Sequence, residues 1–395
     1  MVHHMNAPIE IRGMTWNHPR GQGPIEAATQ LWLRDNPDVT VTWDARPLSD
    51  FEDQAIASLA ADYDLLMIDH PHIGSAVGQG LLKPVSEWAD TDFLLDHWRN
   101  STGPSVDSYT QDDRLWALAV DAASQVGAYR GDLLEAVGAP VPSTWDQVVD
   151  IAKATSGSPA QILLPLNPNH AWCTLLSIAH AEAGKGFWGN SGLQFEILCD
   201  ALGFLSALTL EIDPRSANVD PIAAGVMATT SDTIIGIPLA FGYVTFARAP
   251  STAKRHLTFA NSPRGAAGHG SVLGGVGLAL SARSNAQDWA ASLARLIASP
   301  EFQRGGYVTA GGQPGHRTAW LDPQVNQGAN GFFSATLDSL DSAFIRPRFA
   351  GAEQMHRACA DILHGWLWNR RTTVTECAKE LVALIPDIDP NQEKA

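Results

Sequence analysis

Three clusters in this chain of 395 residues combine side chains that could hold a polar molecule. Trp16-Asn17-His18-Pro19-Arg20 offers an indole face, an imidazole and a guanidinium within five residues. An indole stacks on C–H faces, and the two polar heads fix oxygens. Trp16 could instead simply cover core. Asp69-His70-Pro71-His72 is the second cluster, with Asp44 on a neighbouring element. Side chains adjacent on one loop rarely converge on one ion, and no further His, Asp or Glu spacing completes a closed tetrahedral site. The expectation is hydrogen bonding to a ligand or a structural turn, with no metal and no cofactor. The third is Asp121, a carboxylate ending the apolar run Leu115–Val120. Buried alone, it would be costly. Ligand hydroxyls would answer it, and so would an arginine ion pair.

Asn167-Pro168-Asn169-His170-Ala171-Trp172 reads in two ways. It is either a loop carrying an aromatic wall, or a helix start with Asn169 as cap and Trp172 in the core. Tyr243, beside Gly242, offers ring and hydroxyl together. Arg20 and Arg248 keep a carboxylate-bearing ligand in play, because a guanidinium grips a carboxylate as a fork.

These clusters must be positioned by elements, and the first 70 residues alternate strand and helix. Strands are expected at Ile9–Met14, Val39–Asp44 and Asp64–Asp69, and helices at Pro24–Asp35 and Phe51–Ala61. Such alternation implies a doubly wound parallel sheet, which binds ligands beyond the carboxyl ends of its strands. Trp16, His18, Arg20, Asp44, Asp69 and His70 fall at those ends. Further on, two short strands (Leu115–Val120 and Gln125–Arg130) precede a helix from Asp132. Thr144 and Gln147 then have capping-box spacing before Trp145, Val148 and Ala152. Helical periodicity returns at Trp172–Ala183, Leu193–Leu210 and Ala286–Ala298.

Length suits two lobes rather than one core. A net charge of −16 argues against a nucleic-acid partner and suits a monomer. No apolar run approaches the roughly 20 residues of a membrane helix. The four cysteines, Cys173, Cys199, Cys359 and Cys377, show no CxxC and no zinc spacing. Buried thiols are the plain expectation, and a Cys359–Cys377 bond would require an oxidising compartment. The start, MVHHMNAPIEIRG, has no signal-peptide pattern, so either a signal was removed or none existed. G-x-S-x-G, H-E-x-x-H and a Walker lysine motif are missing.

The order of blocks carries a resemblance. LWALAVDAASQVGAYRGDLLEAVGAPVPSTWDQVVDIAKA comes first, then Gly274-Gly275-Val276-Gly277-Leu278-Ala279-Leu280-Ser281 before a helix and Ser299-Pro300-Glu301-Phe302-Gln303. Gly311-Gly312-Gln313-Pro314-Gly315 and Arg346-Pro347-Arg348-Phe349 follow. In this order they resemble the ABC-transporter extracellular solute-binding proteins of family 1, the carbohydrate-binding group. The resemblance implies a two-lobed periplasmic-binding-protein fold of type II, α/β, each lobe a mainly parallel sheet flanked by helices. It implies lobe 1 from residues 1–120 and 270–318, lobe 2 from 121–269 and 319–395, a ligand cleft between them and hinge closure. Asp121 matches the family's acidic ligand contact, and Gly275 and Glu353 join the expected site with Trp16, His18, Arg20, Asp44, Asp69, His70, His170, Trp172 and Tyr243.

The function implied is capture of a small polar ligand, foremost a carbohydrate, for a membrane ABC permease, without catalysis. The compartment is periplasmic or extracytoplasmic if a signal was removed. The alternatives are a cytosolic sensor or scavenger of the same fold, a binder of a sugar acid or other small carboxylate, and a hydrolase or lyase using Asp69, Asp121 and His70.

Overall fold

The computed structural model describes residues 9–47, 56–189, 192–248 and 255–386. Two compact units divide the chain: residues 1–122, 275–322 and 348–350 form one, and residues 123–274, 323–347 and 351–395 the other.

The first unit begins with β1 (Ile9–Trp16), α1 (Pro19–Trp32) and β2 (Val39–Arg46). It continues through α2 (Ile56–Asp62), β3 (Leu65–Ile68), a 3₁₀ turn at His70–His72, α3 (Ile73–Gly78) and α4 (Thr91–Arg99). The first five residues of the expected helix Phe51–Ala61 lie outside the described residues. β1 pairs in parallel with both β2 and β3, as alternating strands and helices require. All four residues of β3 are buried, which explains its unbroken apolar run.

α1 starts five residues before the position expected from Pro24. Pro19 takes the first turn, where a missing N–H costs nothing, and His18 caps it. The expectation put Pro24 at that place; it lies inside the helix instead. Trp32 at the far end packs edge-on against Trp289, 6.1 Å between ring centres, and donates to Ser292 Oγ at 3.1 Å.

A single strand, β4 (Leu118–Arg130), replaces the two expected runs. Every one of its 13 residues is buried, including Gln125 and also Asp121 and Ser124, whose polarity separated the two expected runs. The chain passes along it from the first unit into the second. A short helix at Gly131–Ala136 follows, then α5 (Trp145–Thr155), α6 (Pro168–Ala183), α7 (Phe195–Leu208), β5 (Ile234–Phe241) and β6 (Leu257–Ala260). The Thr144 side chain accepts from the Gln147 N–H, as the capping spacing predicts. The Gln147 side chain, however, accepts from Ser143 N–H at 2.7 Å, so the reciprocal bond is shifted by one residue.

The second unit's sheet is mixed rather than mainly parallel. β4 pairs antiparallel with β5 and with β6, and β5 pairs in parallel with the short strand Gln161–Ile162. α6 is buried on nearly all sides, so it reads as an apolar helix without a clear stripe.

β7 (Leu273–Leu280) returns the chain to the first unit, where it pairs antiparallel with β3. α8 (Gln287–Ala298) covers that sheet, its buried face made by Ala290, Leu293, Ala294 and Ile297. The second unit closes with α9 (Ala352–Asn369) and α10 (Val374–Leu384), the latter held by a complete capping box between Thr373 and Glu376.

Candidate functional site

Arg20 and Asp121 of the first unit meet where the carboxyl end of β1 approaches the amino-terminal part of β4. Trp16 ends β1 with only 4% of its surface exposed. Its ring lies over Gly21, where an added Cβ would sit 2.6 Å from the indole. The chain turns at His18, whose Nδ1 accepts the Arg20 N–H at 3.1 Å. That bond requires a neutral ring. Burial, with the Arg20 charge behind it, lowers the His18 pKa to about 4.

Arg20 then turns back from the first helical turn onto Asp121. Its Nε donates to Asp121 Oδ2 at 3.0 Å, and its Nη2 pairs with Oδ1. Both side chains are almost wholly inaccessible. The guanidinium also stands 6.0 Å from the Trp16 ring centre. Burial raises the Asp121 carboxyl above its ordinary range, against the pull of Arg20 and of the Gln313 N–H. Tyr307 lies fully buried in the same neighbourhood, and burial together with the Asp121 charge pushes its phenol far up.

Gly275 opens the return segment at φ +99°, and a Cβ there would fall 2.3 Å from the Asp121 carbonyl oxygen. Only glycine meets both demands. At the other side, the Ala119 N–H donates to Nε2 of the buried His97 at 3.1 Å. Burial and the nearby His316 lower the His97 pKa to about 4, against the Asp96 charge.

Asp44 and Asp69 keep contact with solvent. Asp44 accepts from the Tyr63 hydroxyl at 2.7 Å and lies 3.9 Å from Arg12. Asp69 caps the His70–His72 turn by accepting the His70 N–H at 2.8 Å, and lies 3.0 Å from the buried His70 ring. The cluster is thus a folded turn. Among the described residues no group of three or more His, Cys, Asp or Glu is arranged to hold a metal.

The second-unit candidates are placed separately. Asn167, rather than Asn169, caps α6 by accepting the His170 N–H at 3.3 Å. His170 is buried and meets the Phe241 ring edge-on at 5.8 Å between centres. Trp172 is fully buried and faces His356 at 6.5 Å. Tyr243 follows β5 and packs near Phe246, and Glu353 stands half-buried in the first turn of α9.

Sequence reasoning assigned Arg20 and Asp121 to one ligand site without pairing them with each other. It did not single out His97, Tyr307 or the Gln313 N–H. His97 acts through the Ala119 N–H and Gln313 through bonds to Asp121 and Ala122, for which no residue spacing gives a signal.

Comparison with known proteins agrees with this architecture. No curated protein sequence matches the chain. Maltose-bound MalE3 of T. maritima is similar in structure, with a TM-score of 0.82 at 20% identity over 95% of this chain and 98% of that one. The GacH receptor of Streptomyces glaucescens gives 0.79 at 17% identity, covering 97% of this chain and all of that one. An ABC transporter solute-binding protein of Agrobacterium vitis with bound D-mannitol gives 0.77 at 19% identity, covering 95% and 97%. The fold is that of the type II periplasmic binding proteins. The family model described as bacterial extracellular solute-binding protein matches residues 15–304, and the chain belongs to that family.

Proposed function

We propose that this chain captures a carbohydrate or polyol outside the cytoplasm and delivers it, as a monomer, to a membrane ABC permease. It leaves the ligand chemically unchanged. The observation that carries the ligand class is the chemistry held by similar folds, maltose in one and D-mannitol in another. The family assignment supports the extracytoplasmic location and the transport role. Hinge closure on the ligand belongs to the same reading.

Within the first unit, the strand-end carboxylates Asp44 and Asp69 are the proposed acceptors for ligand hydroxyls, since both retain solvent access. Trp16, His18, His70 and Gly275 shape the surface beside them. Arg20 and Asp121 hold each other and fix the turn from β1 into α1, so their contact to a ligand would come on top of a structural task. His170, Trp172, Tyr243 and Glu353 are the second unit's proposed contacts, carried by the family pattern alone.

A thermal-shift screen over maltose, D-mannitol, ribitol and glucuronate tests the reading. A true ligand at 100 times its dissociation constant stabilises by about 2.7 kcal/mol. The expected outcome is a shift with a neutral sugar or polyol, and chromatography that recovers the ligand intact. A shift confined to glucuronate would move the ligand class to sugar acids. Consumption of the ligand would make the protein an enzyme.

A further inference from the structure

The four cysteines play no part in the proposed capture, but two of them, Cys199 and Cys377, stand on neighbouring helices. α7 and α10 run antiparallel in the second unit, and their register is pinned twice. At one end, a Cβ on Gly192, just before α7, would lie 2.7 Å from Ile385 Cγ2, just after α10. At the other end, the Arg370 guanidinium, shortly before α10, donates to Ser206 O at 2.9 Å and Thr209 Oγ1 at 2.7 Å. Cys199 lies midway between Gly192 and Ser206. Cys377 lies close to midway between Ile385 and Arg370. Two antiparallel segments matched at both ends are matched in the middle, which brings Cys199 and Cys377 to the same level along the helix pair. Cys377 is on the buried face of α10 with Ala378 and Leu381, and Cys199 is partly exposed on α7.

We propose that Cys199 and Cys377 are a disulfide-forming pair that fastens α10 to α7. The electrostatics agree with the geometry: the Cys199 thiol is among the neighbours that raise the Cys377 pKa, to about 12, behind burial and Glu380. Burial, with Glu196 and Asp200, also raises the Cys199 thiol. Both thiols are therefore sluggish nucleophiles, and Cys199, the more accessible, reacts first.

With a low-molecular-weight disulfide as oxidant, the Cys199 thiol gives its proton to water. Its thiolate attacks one donor sulfur and releases the first donor thiolate. The Cys377 thiolate, also deprotonated, then attacks the Cys199 sulfur and expels the second donor thiolate. The two released thiolates take up two protons. The protein thiols lose two electrons, and the donor disulfide gains them as two thiols. The bond would close a long loop, which restricts the unfolded chain, and it would persist in an oxidising compartment.

The test uses the full chain, reduced, desalted and incubated with glutathione disulfide at pH 8. Remaining thiols are then blocked with N-ethylmaleimide and the peptides mapped. The expected result is one cross-link between the Cys199 and Cys377 peptides, with the thiol count under denaturing conditions falling from four to two. Cys199→Ser, at the partly exposed position, should abolish the link and keep the fold. Cys377→Ser should instead trap a glutathione adduct on Cys199. Four retained thiols, a Cys359–Cys377 link, or a stable Cys199 adduct in the unaltered chain would overturn the pairing.

Discussion

Arg20 in the first unit and Arg130 in the second are both nearly inaccessible, yet their carboxylate partners differ. Arg20 meets Asp121, whose side chain has no exposed surface. Arg130 meets two aspartates, Asp132 at 2.6 Å and Asp232 at 2.9 Å, whose side chains are 51% and 58% exposed. It also donates to the carbonyls of Ala228 and Ser231 at 3.2 and 2.9 Å, at the end of the helix Pro221–Thr230. Arg255 joins from the surface, bonding Asp232 at 2.8 Å. In the second unit water can replace any one carboxylate. In the first, the Arg20–Asp121 contact is closed to water. A buried pair is not for that reason strongly stabilising, because desolvation offsets its attraction. What the dry pair has is a high cost of separation.

The largest expected effect follows from that. Asp121→Asn removes the carboxylate charge that the Arg20 guanidinium grips at two points in a dry site, and breaking a buried pair costs about 3–5 kcal/mol. Urea unfolding should show that loss. Replacing both residues, Arg20→Met with Asp121→Leu, should recover much of it. A single variant within 1 kcal/mol of the parent, on the scale of an exposed pair, would erase the difference between the two units.

Acid should find the first unit next. His18 and His97 each accept a backbone N–H while neutral, and both have their pKa lowered to about 4. Unfolded, each would take a proton near its ordinary 6.5. Their contribution is therefore complete above pH 6.5 and is lost as pH falls toward 4, with a limit of about 3 kcal/mol for each. Asp121, raised by burial, works in the opposite direction, so the slope of the unaltered protein is a net one. Comparing His97→Gln with the parent between pH 7 and 4.5 isolates one term. An unchanged slope would mean that His97 is not held neutral.

The smallest effect belongs to the second unit's surface. Asp232→Asn removes one exposed partner from Arg130 while Asp132 stays in place. Its cost should be well below that of Asp121→Asn and should shrink in 1 M salt, which screens charges beyond about 3 Å. A salt-independent loss as large as that of Asp121→Asn would show that Arg130 depends on Asp232 as Arg20 depends on Asp121.

How far each region was legible in sequence follows the same division. β1, β2 and β3 announce themselves because their apolar residues recur locally. β4 reads as two runs, because Asp121 and Ser124 separate them, and its buried polar residues Asp121 and Gln125 find partners far along the chain. Gln125 is answered by the Ser177 hydroxyl at 2.6 Å, and Asp121 by Arg20, which is 101 residues away. Periodicity cannot see a partner at that separation. The start of α1 was missed for a local reason, since histidine is an uncommon cap and Pro24 looked like a first-turn proline. For the candidate site, sequence supplied the residue types at the strand ends. It could not supply the mutual commitment of Arg20 and Asp121, which changes what each is free to do.

Gly275 carries one more implication, for inheritance. Its left-handed backbone and the Asp121 carbonyl 2.3 Å from any added Cβ put every other amino acid under strain alike. All missense changes of a glycine codon introduce a Cβ. Every missense change at this codon therefore strains the backbone beside Asp121, and only synonymous changes leave that geometry untouched.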